Sequence, residues 1–199
     1  MHIAEGVLSP AVLLTGYALT AAGTAVGLRR LDYDRLMTVA ILAAAFFVGS
    51  LIHVPIGPSS AHLILNGLLG VILGWAAIPA ILAGLALQAL LFQFGGFTVL
   101  GVNTATMGFA AVLSWYMFRG LCRIMPSAGG RRAAAFCCGV LAAALFTALA
   151  LSASDEGFAA AARLLFLAHL PIMLVEGLIT MFTVDFIAKV RPELLRLAV

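Results

Sequence analysis

Charged residues along the chain gather in short clusters, and long apolar runs fill the space between them. Gly6–Leu28 carries no charged residue. As a helix rising 1.5 Å per residue, a run of that length covers a hydrocarbon core of roughly 30 Å. Arg29-Arg30-Leu31-Asp32-Tyr33-Asp34-Arg35 ends it. Leu36–Phe118 then runs without a single Lys, Arg, Asp or Glu. At about 20 residues per span, that is room for four helices. Val54-Pro55-Ile56-Gly57-Pro58-Ser59 and Gly95-Gly96 punctuate the run, and Pro79 suits a first helical turn. The expected helices are Leu36–Ile52, Ala61–Ala76, Ile78–Phe92 and Thr104–Phe118. The middle two are short enough to form a hairpin that stops part-way across. Arg119, Arg123, Arg131 and Arg132 mark the next loop. Ala133–Ser154 is a sixth run, Asp155-Glu156-Gly157 an acidic turn, and Leu164–Ile187 a seventh. Lys189, Arg191 and Arg196 follow it.

The expected fold is therefore all-α: one polytopic helix bundle over 1–199 with about seven transmembrane helices. The basic clusters follow spans one, five and seven. Placing all three in the cytoplasm puts the N-terminus outside and the C-terminus inside, as the excess of Arg and Lys in cytoplasmic loops requires. The 54–59 loop, the 94–103 segment and the acidic turn then lie outside. Composition agrees: 64% of the 199 residues are apolar and 10% charged, against about 25% charged in a soluble domain. That excludes a disordered chain, a coiled coil and an ordinary soluble enzyme. The net charge of +3 sits at the ends of apolar runs, so it does not point to nucleic acid. No cleavable leader is expected, because Gly6–Leu28 is too long for a signal core and no basic region precedes it. Cys122, Cys137 and Cys138 do not match zinc spacing and read as packing residues. Small residues in the first span (Ala18, Ala21, Ala22, Gly23, Ala25, Gly27) suit close helix packing within the bundle or against another subunit.

All four histidines, His2, His53, His62 and His169, fall in the outer half of this topology, which rests on none of them. Intramembrane ionisable residues are candidates for function. A packing role competes at His169, where the ring can donate to a backbone carbonyl or to Glu176. His2 has special chemistry. A free Met1 amine, the His2 amide nitrogen and the His2 Nδ1 can reach one metal, closing a five-membered and a six-membered ring in one plane. One imidazole from elsewhere, such as His62, completes a square of four nitrogens. That geometry suits Ni(II), Cu(II) and, less often, Co(II), and disfavours tetrahedral Zn(II). It requires Met1 to be retained, which the bulk of His2 favours, and its amine (reference pKa about 7.7–8.0) to be unblocked.

The opening Met1-His2-Ile3-Ala4-Glu5-Gly6-Val7-Leu8-Ser9-Pro10 resembles the CbiM/NikM family, the metal-capture membrane subunits of energy-coupling-factor transporters for cobalt and nickel. Gly57-Pro58-Ser59-Ser60-Ala61-His62-Leu63 is similar to the family's small-residue loop ending in a ligand histidine. The Gly95–Gly108 segment resembles its Gly-Gly…Leu-Gly-x-Asn-Thr…Met signature. Ala168-His169-Leu170-Pro171…Glu176-Gly177-Leu178-Ile179-Thr180 is similar to its last-helix pattern. The resemblance implies that the N-terminus threads back into the bundle, and that the Met1 amine, the His2 amide and imidazole, and His62 hold the ion. The Leu-Ser-Pro ending is closer to the cobalt branch, with nickel as the alternative. Two departures stand out. Gln93-Phe94 replaces a histidine often found before the Gly-Gly pair, and His53 has no counterpart in the ligand set.

Candidates to support the ligands are Glu5, His53, Ser59, Ser60, Asn103, Thr104, His169 and Glu176. Asn103 and Thr104 can bond the folded-back segment. A helix N-terminus or a histidine can hold Glu5. Ser59 and Ser60 can cap the third helix or support His62. The chain is expected to bind metal without catalysis of its own, and since no Gly-x-x-x-x-Gly-Lys-Ser/Thr phosphate loop occurs, ATP hydrolysis is expected from separate subunits. The resemblance implies paired ATPase subunits, a transmembrane coupling subunit and a small auxiliary membrane subunit as partners, in a bacterial inner membrane, with Co2+ for cobalamin biosynthesis as the cargo. An intramembrane serine hydrolase built on Ser59 or Ser60 and a metal-free scaffold or channel are the competing readings.

Overall fold

The computed structural model describes residues 2–3, 5–51, 53–56, 59–138 and 159–195, with residues 2, 53–56, 59–62, 159–166 and 168–169 described by their backbone. Helices dominate. α1 (Pro10–Arg29) opens with proline in its first turn, where the missing N–H has no helical partner to lose. α2 is Leu36–Gly49, α3 Asn66–Leu73, α4 Ala77–Phe92, α5 Leu100–Ile124, α6 Ala128–Cys137 and α7 Ala159–Val190. α7 carries Pro171 inside it.

One part of the all-helical expectation is corrected. Where a loop and the start of a helix were expected, the chain is extended. β2 (His53–Ile56) and β3 (Ser59–His62) form an antiparallel pair, and β1 (His2–Ile3) adds to β3's other edge. The third expected helix, Ala61–Ala76, is thus only partly helical. Its helical part begins at Asn66.

α5 is the centre of the bundle, with Val102, Asn103, Thr104, Met107, Ala110, Ala111 and Phe118 buried along it. α1 lies along α5. Gly16, Thr20, Gly23 and Gly27 form its buried stripe, spaced four, three and four positions apart. A β-carbon at Gly16 would come 2.7 Å from Val102 Cα, and one at Gly27 2.6 Å from the Trp75 carbonyl. Thr20 donates to the Gly101 carbonyl at 2.6 Å. The small residues therefore divide. The glycines pack inside the bundle, while Ala18, Ala21, Ala22 and Ala25 are exposed.

Among the described residues three segments are long and apolar enough to cross a membrane: Pro10–Arg29, Asn66–Phe92 and Leu170–Val190. The second reverses direction within itself. Arg35, at the start of α2, donates to the Ile72 carbonyl at 3.2 Å, whereas Gln88 near the end of α4 donates to the Phe47 carbonyl at 3.1 Å, near the end of α2. The turn is Gly74–Ala76, with Gly74 at φ 55° and ψ −124°. α3 therefore rises only about 12 Å from that turn, so β3 joins it inside the bundle.

The basic clusters meet at one end. Arg30 stacks on Trp75 (5.2 Å) and Arg119 on Trp115 (4.8 Å). Arg132 pairs with Asp185 at 2.9 Å, Lys189 with Asp185 at 2.8 Å, and Arg35 donates to the Leu194 carbonyl at 2.9 Å. Cys122 and Cys138 are buried and Cys137 is exposed, all as free thiols. The sixth expected span lies mostly outside the described residues, as do the Asp155-Glu156 turn and Arg196.

Candidate functional site

Extended backbone inside an apolar bundle needs hydrogen-bond partners that water cannot supply. The N-terminal segment finds them on two sides. β1 pairs with β3 in the register His2 opposite Ser60 and Ile3 opposite Ser59. From α5, the Asn103 carboxamide takes both backbone groups of Ile3. Ile3 N–H donates to Asn103 Oδ1 at 3.0 Å, and Asn103 Nδ2 donates to the Ile3 carbonyl at 3.4 Å. Ile3 is fully buried and Asn103 nearly so. The segment is thus threaded into the bundle and fixed by a residue far along the chain.

The sheet also sets which residues share a face. His53 stands opposite His62, Pro55 opposite Ser60, and His2 opposite Ser60. Successive strand residues alternate faces, and directly opposite residues have Cβ atoms about 4.5–5.5 Å apart. By register, His2, Ser60, His62 and His53 belong to one face. The sequence placed His2 and His62 together through the resemblance, whereas His53 reaches this face only through the β2–β3 pairing. Met1 lies outside the described residues. Ser59 and Ser60 are ladder residues, not the cap of α3, whose N-cap position is Leu65. His169 stands on α7, roughly two helical turns before Glu176.

Two carboxylates hold the surrounding backbone. Glu5 accepts from Thr98 twice, from the amide at 3.0 Å and from the hydroxyl at 3.0 Å. The Thr98 amide, then its hydroxyl, keep the Glu5 carboxyl below its ordinary value, with burial opposing weakly, because both bonds favour the ionised form. The Gly-Gly pair makes room for this. Gly96 sits at φ 97°, and a β-carbon there would collide with the Glu5 carboxylate. A cavity of about 520 Å³ adjoins, lined by Glu5, Ala89, Leu90, Gln93 and Gly95–Phe97. The sequence missed Thr98, although it stands inside the recognised Gly-Gly segment. Glu176 on α7 is buried and accepts the Ile64 N–H, while its second oxygen has no hydrogen-bond partner among the described residues. Thr104 is buried and its hydroxyl has no partner among the described residues, and Thr106 rather than Thr104 bonds the Asn103 carbonyl, at 3.0 Å. Among the described residues no three His, Cys, Asp or Glu side chains converge as a metal cluster.

This arrangement brings the backbone positions of His2, His53 and His62 into neighbouring register on one small sheet. The comparisons with known proteins bear on what it holds. The family model described as CbiM, cobalt uptake substrate-specific transmembrane region, matches residues 2–194. A relative from Haemophilus influenzae, named for metal transport, is 41% identical over 199 residues, spanning 98% of this chain and 97% of that protein. The fused nickel transport protein NikMN of Rhodobacter capsulatus is 41% identical over 113 residues, 54% of this chain and 33% of that protein. The crystal structure of a truncated transition metal transporter superposes with a TM-score of 0.77 at 29% identity, covering 95% of this chain and 99% of that one.

Proposed function

The chain belongs to the CbiM family of cobalt-uptake substrate-specific transmembrane proteins, and from that premise we propose that it is the metal-capture subunit of an energy-coupling-factor importer of Co2+ for cobalamin biosynthesis. The ion is held in a plane by the Met1 amine, the His2 amide nitrogen, the His2 Nδ1 and one His62 nitrogen. The observation that carries this reading is the pairing of β1 with β3, which sets His2 opposite Ser60, just before His62 on the same strand. Four nitrogens in a square select by shape against Zn2+, which favours a tetrahedral site. Ni2+ is the second reading, favoured by the match to a fused nickel transport protein.

The whole chain acts as one membrane domain of about seven spans in a bacterial inner membrane. The meeting of Arg30, Arg119, Arg132 and Lys189 at one end supports a cytoplasmic placement of that end, with the N-terminus outside. Capture exchanges protons for the metal at the ligand nitrogens and involves no covalent chemistry on a substrate. Energy comes from paired ATPase subunits through a transmembrane coupling subunit, with a small auxiliary membrane subunit completing the complex.

The test is metal titration of the purified full chain with its native N-terminus verified by mass. Inserting one residue between Met1 and His2 breaks the fused rings while leaving every side chain present. That variant is expected to lose stoichiometric Co2+ binding. Metal binding requires a deprotonated amine and amide and a neutral imidazole, so affinity falls as pH drops from neutral toward about 5. Normal binding by the insertion variant would refute the chelate.

A further inference from the structure

The strand that carries His62 enters α3 through Ile64 and Leu65. Leu65 sits at φ 56° and ψ 22°. That is a left-handed conformation, which a residue with a β-carbon disfavours. Glycine would adopt it freely. Leucine stands there instead, with its side chain against Gly49 of α2, where a β-carbon would lie 3.5 Å from Leu65 Cδ1. Ile64 is fully buried and Leu65 nearly so, so their amides cannot turn to water. The Ile64 amide donates to the Glu176 carboxylate on α7, and Leu65 follows it directly. Glu176 is 1% exposed. Its neighbour Gly177 lets α7 close on α6, where a β-carbon would lie 2.9 Å from the Phe136 ring. A carboxylate within a membrane-spanning helix is costly and marks function by default.

We propose that Glu176 is a positioning residue for the metal site: by holding the Ile64–Leu65 turn it fixes the end of β3, and so the place of His62 just before it. The inference rests on the reading of His62 as a ligand. A helix–strand junction with a disfavoured turn would otherwise relax, and β3 would lose its register against β1.

The experiment uses the full chain in detergent and Co2+ alone as the probe. Glu176→Ala is expected to weaken Co2+ affinity about 10–100-fold, the usual effect of losing a group that orients a ligand. Glu176→Asp keeps the charge but shortens the reach, and weakens binding similarly. Glu176→Gln keeps the acceptor oxygen and stays within about three-fold of the parent. Adding Leu65→Gly to Glu176→Asp restores most of the loss, because glycine adopts the left-handed turn without the strain that leucine carries there. Amide hydrogen exchange at Ile64 and Leu65 in metal-free protein rises in the Ala and Asp variants. His62→Ala abolishes Co2+ binding without that rise, so failure of the ligand assignment is separable from failure of the clamp. Parent-like affinity in Glu176→Asp would overturn the proposal. So would weakened affinity with unchanged exchange at Ile64 and Leu65, or the absence of any recovery with Leu65→Gly.

Discussion

At the N-terminal end, extended backbone is held by buried side chains, each satisfying groups that have no water to turn to. Asn103 holds Ile3, and Glu176 holds Ile64. At the basic end, helix termini are held by charges that reach water. Arg132 is 48% exposed where it meets Asp185, and Lys189 is 66% exposed. Both ends rely on polar contacts but differ in what a broken contact leaves behind. A buried amide without a partner bears its full desolvation cost, about 1–3 kcal/mol. An exposed ion pair is typically worth about 0–1 kcal/mol, because water and salt replace the partner. The end that looks less charged is therefore the more sensitive one.

The largest expected effect tests that contrast at Asn103. Asn103→Leu leaves the Ile3 N–H and carbonyl without the carboxamide that pairs both. Release of the N-terminal segment should weaken Co2+ binding by about 2 kcal/mol or more, roughly 30-fold, measured by titration against the parent. Binding within a factor of two would mean that the β1–β3 pairing alone secures the segment.

A smaller effect belongs to Glu5, which is exposed. The Thr98 bonds favour its ionised form, so its folded-state pKa lies below the ordinary 4.5. The folded segment then binds fewer protons than the released one at mildly acidic pH. The clamp contributes fully above that ordinary value and is lost as pH falls through the lower folded-state value. Exchange protection across residues 5–8, corrected for intrinsic rates, should decline below about pH 4.5 in the parent and stay flat in Glu5→Gln. A parent profile as flat as the variant's would remove the carboxylate from this role.

The smallest effect is expected at the basic end. Arg132→Ala breaks a bidentate contact to Asp185 (2.9 and 3.1 Å), yet Asp185 keeps Lys189 one turn away. Thermal unfolding in detergent should show a loss of about 1 kcal/mol or less. A larger loss would show that this ion pair, unlike most exposed ones, sets the docking of α6 on α7.

Much of the bundle was legible from one-dimensional pattern. Apolar runs between charge clusters located α1, α2, α4, α5 and α7, because a helix satisfies its own backbone and needs only composition and length to form in lipid. The small residues of the first span were legible as packing, but the division of its glycines from its exposed alanines was not. That division depends on which side of α1 meets α5. Asn103 and Glu5 were singled out from the motifs they occupy, whereas Thr98, in the same segment as Asn103, was missed because no periodicity marks a partner for Glu5.

The class of the chain, the position of most of its helices and the candidate ligand residues were legible in local sequence: charge spacing, chain length per span and the Met1-His2 dipeptide. Tertiary structure alone decided that Ser59–His62 is extended where the pattern read as a loop and the start of a helix, and that His53 lies opposite His62. Extended backbone persists inside the bundle only where distant residues complete its hydrogen bonds. Here those residues are Ile3, Asn103 and Glu176, separated from the strands by tens of positions, a distance over which no local pattern carries information.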